Sequence, residues 1–296
     1  MRKLTVSDYA DRISLHSPYV PTPLQGLTNP ALVLRVLQEL TPVLKKSGIT
    51  DVRELDSDEQ RTLLDSAITV IPPGYLSENG KNALDTLLSA ECQSQSITDV
   101  CELAPFLKIG DTKVVLWRGD ITTLKADAIV NAANSQLLGC FLPQHKCIDN
   151  AIHNRAGVQL REDCDVIIQL QGGEEPTGEA KITRGYNLPA KYVIHTVGPI
   201  VQGNVTREGE QLLAASYQHI LDITQEVENA RSVAFCAIST GVFGYPIEQA
   251  TPVAIHTVAK WLKANPGKLD TVVFNVFSER DYDVYQSELE EFVCKN

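Results

Sequence analysis

Apolar residues change their spacing about a third of the way along the chain. In the first part, Leu32, Val33, Val36, Leu37, Leu40, Val43 and Leu44 recur at steps of one, three and four, the spacing of one helix face. Thr28, Asn29 and Pro30 precede them as a cap followed by a proline in the first turn. SDEQRTLLDSAITVI (57–71) and SENGKNALDTLLSAE (77–91) repeat the pattern, and Pro72, Pro73 and Gly74 separate them. Residues 1–104 are therefore expected to form a helical extension whose apolar faces need a surface to bury against. It carries no internal repeat and no constellation of catalytic residues.

From about Thr112 short β-branched or aromatic runs take over: KVVLW (113–117), AIVNA (128–132), AKITRGY (180–186), YVIHTV (192–197), SVAFCAI (232–238) and TVVFNVF (271–277). Helical stretches near 149–170, 207–228, 246–264 and 280–293 lie between and after them. Strands apolar on both faces and separated by helices predict an α/β fold, a three-layer α/β/α sandwich with a mixed, largely parallel sheet. Ligands of such sheets sit beyond the carboxyl ends of the strands.

Composition narrows the function. The chain has 296 residues, 43% of them hydrophobic, and a formal net charge of −11. That charge argues against a nucleic-acid backbone as partner, because counterion release needs clustered Lys and Arg. A small anion is still possible, since backbone N–H groups bind phosphate whatever the global charge. No apolar run reaches membrane length, and residues 1–20 have no charged segment followed by an apolar one, so a cytoplasmic protein without membrane contact is expected. Of seven cysteines, Cys92, Cys101, Cys164, Cys236 and Cys294 are scattered and read as small buried hydrophobes. Cys140 and Cys147 stand apart, with His145 between them.

Four expected strand ends carry unusual sequence: GDIT (119–122), NAANS (131–135), HTVGP (195–199) and STGVFGYP (239–246). In the last, Gly241 and Gly244 bracket two apolar residues ahead of a helix, which fits either a tight turn or a backbone loop curled around an anion. Together with CIDNAIHNRAG (147–157) and PTGEAKITRGYNLPAKYVIHTVGP (176–199), these stretches resemble the macrodomain family, an ADP-ribose-binding α/β/α module. The resemblance covers residues 105–296 and leaves the extension outside.

The resemblance implies a site. Asp120 would accept a hydrogen bond from the adenine amino group, with Ile121 beside it; the other reading of Asp120 is a turn cap. Ser239, Thr240, Gly241, Val242, Phe243, Gly244 and Tyr245 would wrap the diphosphate, and Phe277 would pack on adenine unless it is a core residue. Asn134 would hold the distal ribose hydroxyls, whereas Asn131 is expected to make local turn bonds. Asp149 falls where hydrolases of the family carry a carboxylate near that ribose, so with Asn134 it would be catalytic, as base or positioning group; a helix N-cap is its other reading, and the two roles are compatible. His153 is expected to serve in packing or behind the site, and His195 as a core histidine.

The segment from Asn134 to the next helix is longer than the short glycine-rich loop of most macrodomains and carries Cys140, His145 and Cys147. Two sulfurs and an imidazole match the ligand set of Zn²⁺, and three protein ligands with an open position form the catalytic pattern; a metal-free loop is the alternative. The spacing resembles the zinc-containing macrodomains, often encoded beside sirtuin-type ADP-ribosyltransferases. That resemblance implies one Zn²⁺ per chain and a hydrolase that removes mono-ADP-ribose from modified proteins, a lipoylated carrier protein among the possible substrates. Two other activities use the same pocket: binding of ADP-ribose without cleavage, and deacetylation of O-acetyl-ADP-ribose.

Overall fold

Seven strands form the main sheet of the computed structural model, which describes residues 2–295. In chain order the strands are β1 (Thr98–Asp99), β2 (Leu107–Ile109), β3 (Thr112–Arg118), β4 (Leu124–Lys125), β5 (Ala128–Ala132), β6 (Ala180–Arg184), β7 (Tyr192–Thr196), β8 (Ser232–Phe235) and β9 (Thr271–Val276). The sheet order is β2-β3-β9-β8-β5-β7-β6, and β1 pairs only with β4. The five inner strands run parallel, and β2 and β6 are antiparallel at the two margins. Every residue of β8 and β9 is buried, which explains their near-continuous apolar sequence.

The helices are α1 (Val6–Tyr9), α2 (Asn29–Glu39), α3 (Thr41–Lys46), α4 (Ser57–Val70), α5 (Glu78–Ser94), α6 (Ile148–Ala156), α7 (Val158–Gln171), α8 (Arg207–Thr224), α9 (Ile247–Ala264) and α10 (Glu279–Lys295). α6 packs with α7, while α9 packs with both α8 and α10, and the sheet lies between these two groups as a three-layer α/β/α fold. None of the described helices is long and apolar enough to cross a membrane.

A second apolar cluster forms where α2, α4 and α5 meet, from Leu32, Val36, Leu37, Leu64, Ile68, Leu84 and Leu87. Leu4, Val6, Tyr9, Ile13 and Leu15 instead join the core of the α/β layers. At the sheet margin, the Ile182 amide of β6 donates to the Tyr9 hydroxyl at 3.0 Å.

Two local features differ from expectation. The apolar face through Leu44 breaks at Leu40, between α2 and α3. Pro42 has no N–H for the Gln38 carbonyl, and the Thr41 hydroxyl bonds that oxygen instead at 2.7 Å. Strand β2 was not among the expected elements, nor were the two-residue strands β1 and β4; at two or three residues they are too short for periodicity to reveal.

Candidate active site

Because β3, β9, β8, β5 and β7 are parallel, their carboxyl ends open on one side of the sheet. The Gly119 amide donates to the Val276 carbonyl at 3.0 Å and fixes the turn after β3 against β9. In that turn Asp120 Oδ1 accepts from the Thr122 amide at 2.9 Å and the Thr122 hydroxyl at 2.7 Å. Asp120 is thus a turn cap, while its Oδ2 takes neither bond. Ile121 is buried in the core beside it. Phe277, just past β9, is 80% exposed, which removes the core reading and leaves its ring free at the strand end.

The segment after β8 turns back on itself: the Gly244 amide donates to Gly241 O at 3.0 Å, and the Tyr245 amide to Ser239 O at 3.0 Å. Among the described residues no protein acceptor takes the N–H groups of Gly241, Val242 or Phe243. Three consecutive free donors ahead of α9 are the kind of backbone arrangement that takes up anions in proteins generally. Ser239 holds a left-handed φ of 66°, and its buried Oγ has no partner among the described residues. Gly198, after β7, supports this segment from below: a Cβ there would lie 2.1 Å from Ser239 Oγ and 2.7 Å from Ile238 Cγ2. Gly198→Ala is expected to cost about 1–3 kcal/mol through overpacking, read as a lowered melting temperature. An unchanged melt would show that the two strand ends can separate freely.

Asn131 does not make turn bonds. It lies inside β5, fully buried, and its two amide hydrogens go to Asp149 Oδ1 at 2.8 Å and His195 Nδ1 at 3.1 Å. His195 Nδ1 is thus the acceptor, and Nε2–H donates to the Thr183 hydroxyl at 2.9 Å. Burial depresses the His195 pKa to about 3, so the ring stays neutral. Asp149 stands in the first turn of α6 but is not its cap, a place taken by Cys147. At 5% exposure its pKa is pushed up to about 6 by burial, opposed by the Asn131 bond and the charge of Arg161. His153 Nε2 lies 3.5 Å from Asp149 Oδ1, and burial holds this imidazole well below its ordinary pKa. The lone polar residue in the apolar run AIVNA was the signal that Asn131 had a buried partner. Asn134 folds the next loop, accepting from the Gln136 amide at 3.0 Å and donating to Gly139 O at 3.0 Å, which leaves one hydrogen and one lone pair for a ligand.

The loop from Asn134 to Cys147 is rooted by Leu137, fully buried with Ala133, Cys164 and Val197 despite its left-handed φ of 58°. Gly139, also left-handed, passes over His153 so closely that a Cβ would lie 3.0 Å from the ring. Beyond it the ligand atoms of Cys140, His145 and Cys147 all lie within 4.8 Å of one another, with Cys140 Sγ 3.4 Å from His145 Nδ1. Zinc bond lengths of about 2.3 Å to sulfur and 2.0–2.1 Å to nitrogen at a tetrahedral angle imply a separation of about 3.6 Å, so the donor set fits that ion. Burial pushes the Cys147 thiol up to about 12; the neighbouring Cys140 sulfur adds to this, and the Asn150 amide, donating to Sγ at 3.4 Å, opposes it.

A mixed α/β/α sheet with unpaired backbone amides and polar groups gathered at the carboxyl ends of its strands has the layout of a ligand-binding crevice. The Macro domain family model matches residues 130–254. A protein-ADP-ribose hydrolase of Treponema medium is 50% identical over 230 residues, covering 78% of this chain and 87% of that one. An Oceanobacillus iheyensis macrodomain solved with ADP is 40% identical at a TM-score of 0.58, covering 64% of this chain and 96% of that one. A Trypanosoma brucei macrodomain solved with ADP-ribose is 34% identical at 0.57, covering 70% of this chain and 86% of that one. This chain belongs to the macrodomain family.

Proposed function

We propose that the protein is a zinc-dependent hydrolase that removes mono-ADP-ribose from modified proteins. The observation that carries this reading is the convergence of Cys140, His145 and Cys147 on one point at the start of α6, the helix that also carries Asp149. The hydrolase name of the half-identical Treponema relative and the ADP-ribose complex of the Trypanosoma macrodomain support it.

Adenine is placed at the β3 end, where Asp120 Oδ2 accepts from its amino group and Ile121 and Phe277 border the base. The free amides of 241–243 hold the diphosphate, and the rest of the 239–245 segment shapes the cradle. Asn134 orients the distal ribose through its remaining hydrogen and lone pair. Asp149 is a positioning group, since it is buried and its Oδ1 is committed to Asn131. Zinc held by Cys140, His145 and Cys147 would supply Lewis acidity where water attacks the anomeric carbon or an ester carbonyl. The modified protein would be a carrier such as a lipoylated one, and the modifying enzyme a sirtuin-type transferase, both on the strength of the sequence resemblance.

Incubating the pure protein with a mono-ADP-ribosylated protein and with O-acetyl-ADP-ribose, and following free ADP-ribose, tests the activity. Release from the protein is expected; binding without release would make it a reader, and release from the acetyl ester alone a deacetylase. Asp120→Ala is expected to weaken ADP-ribose binding by roughly 1–3 kcal/mol, because one hydrogen-bond partner is lost. Calorimetry giving an unchanged affinity would mean that adenine sits elsewhere.

A further inference from the structure

The helical extension reaches the Cys140–Cys147 loop through a buried arginine. Arg161, on α7, is only 3% exposed and forms no ion pair among the described residues. Its guanidinium is spent on carbonyls. Nε donates to Leu138 O at 2.7 Å, at the root of the loop. Nη1 donates to Ile68 O at 3.0 Å and Ile71 O at 2.5 Å, and Nη2 to Thr69 O at 3.1 Å. These last three oxygens belong to the carboxyl end of α4, where carbonyls lack helical partners and carry the negative end of the helix dipole. The ring of Phe141, next to Cys140, lies 4.7 Å from the guanidinium carbon. One rigid fork therefore ties the extension to both sides of Gly139 and Cys140.

A second connection runs from the same end of α4. The fully buried Thr69 hydroxyl lies 3.1 Å from Asn150 Oδ1, sharing its proton between that oxygen and Asp65 O at 2.7 Å. Asn150 donates from Nδ2 to His145 O at 3.1 Å and from its amide to Cys147 Sγ at 3.4 Å. Arg161 thus supports the Cys140 side of the loop, and Thr69 with Asn150 supports the His145 and Cys147 side.

We infer that the extension is a working part of the metal loop, with Arg161 and Thr69 as positioning residues that hold Cys140, His145 and Cys147 at ligand spacing. This rests on the zinc reading for its consequence; the clamp itself is built from side chains and carbonyls of the chain alone. A fold that only needed its helices attached would be served by apolar contact; a buried cation spanning a helix end and a loop fixes their relative position.

The experiment compares wild type with Arg161→Met, Arg161→Lys, Thr69→Val and Thr69→Ser, each with a melting curve. Hydrogen exchange of residues 138–147 is measured on metal-free protein, and zinc affinity by chelator competition. Arg161→Met is expected to speed exchange in the loop and to weaken zinc by roughly 10- to 100-fold, the usual consequence of losing a partner behind the ligands. Arg161→Lys restores the charge but not the fork, and should recover little. Thr69→Val should weaken zinc several-fold, and Thr69→Ser, which keeps the hydroxyl, should match wild type. The cobalt-substituted protein should show altered thiolate charge-transfer bands in Arg161→Met and Thr69→Val only. If Arg161→Met does not fold, the Thr69 pair decides by the same readings. Folded variants with wild-type exchange and wild-type zinc affinity overturn the inference. Wild type that takes up no zinc overturns the zinc reading instead, and exchange in the loop still judges the clamp.

Discussion

Chelation, or His145→Ala, is expected to lower release of ADP-ribose from a modified protein by at least about 10³-fold, while weakening ADP-ribose binding less than about tenfold. The asymmetry follows from the layout of the site. In the proposed site adenine and diphosphate would meet Asp120, Phe277 and the amides of 241–243, residues that lie at the ends of β3, β9 and β8. The Cys140, His145 and Cys147 cluster lies beyond β5, at the start of α6, beside the place assigned to the distal ribose. An interaction made mainly in the transition state governs turnover more than affinity. Turnover with and without chelator, with zinc restored and a melting curve beside each sample, measures the effect. Chelated, folded protein with full activity would make the metal structural.

Deleting residues 1–104 is expected to leave a fragment without a cooperative melting transition. Leu4, Val6, Tyr9, Ile13 and Leu15 are each no more than 6% exposed and belong to the α/β core. At about 1.5–3 kcal/mol for each large buried apolar side chain, their loss alone rivals the roughly 5–15 kcal/mol by which a domain is stable. The deletion also strips three of four carbonyl partners from Arg161. The Oceanobacillus macrodomain matches 64% of this chain with 96% of its own length. Calorimetry of the fragment is the test. A soluble piece with unchanged melting would make the extension an independent module.

The sequence announced what local chemistry controls. Strands β3 and β5 to β9 showed as β-branched runs because burial on both faces leaves little place for polar residues, and AIVNA matched β5 end for end. The amphipathic faces of α4 and α5 were equally plain. The grouping of Cys140, His145 and Cys147 was visible because the three residues lie within eight positions of one another, so the loop alone brings them together. Arg161 gave no signal. Its partners are backbone carbonyls, three of them about 90 residues away, and a carbonyl has no residue type by which to recognise it. Asn131 was misread because its partners come from α6 and β7, and only the fold brings them together. Pro42 was in plain view, yet the apolar spacing through Leu44 masked the break that it imposes.

The hydrogen bond from Ile182 to the Tyr9 hydroxyl bears on how copies of this protein behave toward one another. β6 has a neighbour on one side only, and a free strand margin is a template on which a second chain can add itself, the first step toward aggregates. Tyr9, almost wholly enclosed, occupies one of the donors of that margin with a group that cannot extend the ladder. The turn at Val6–Tyr9 thereby removes one position at which a further strand could be added to β6.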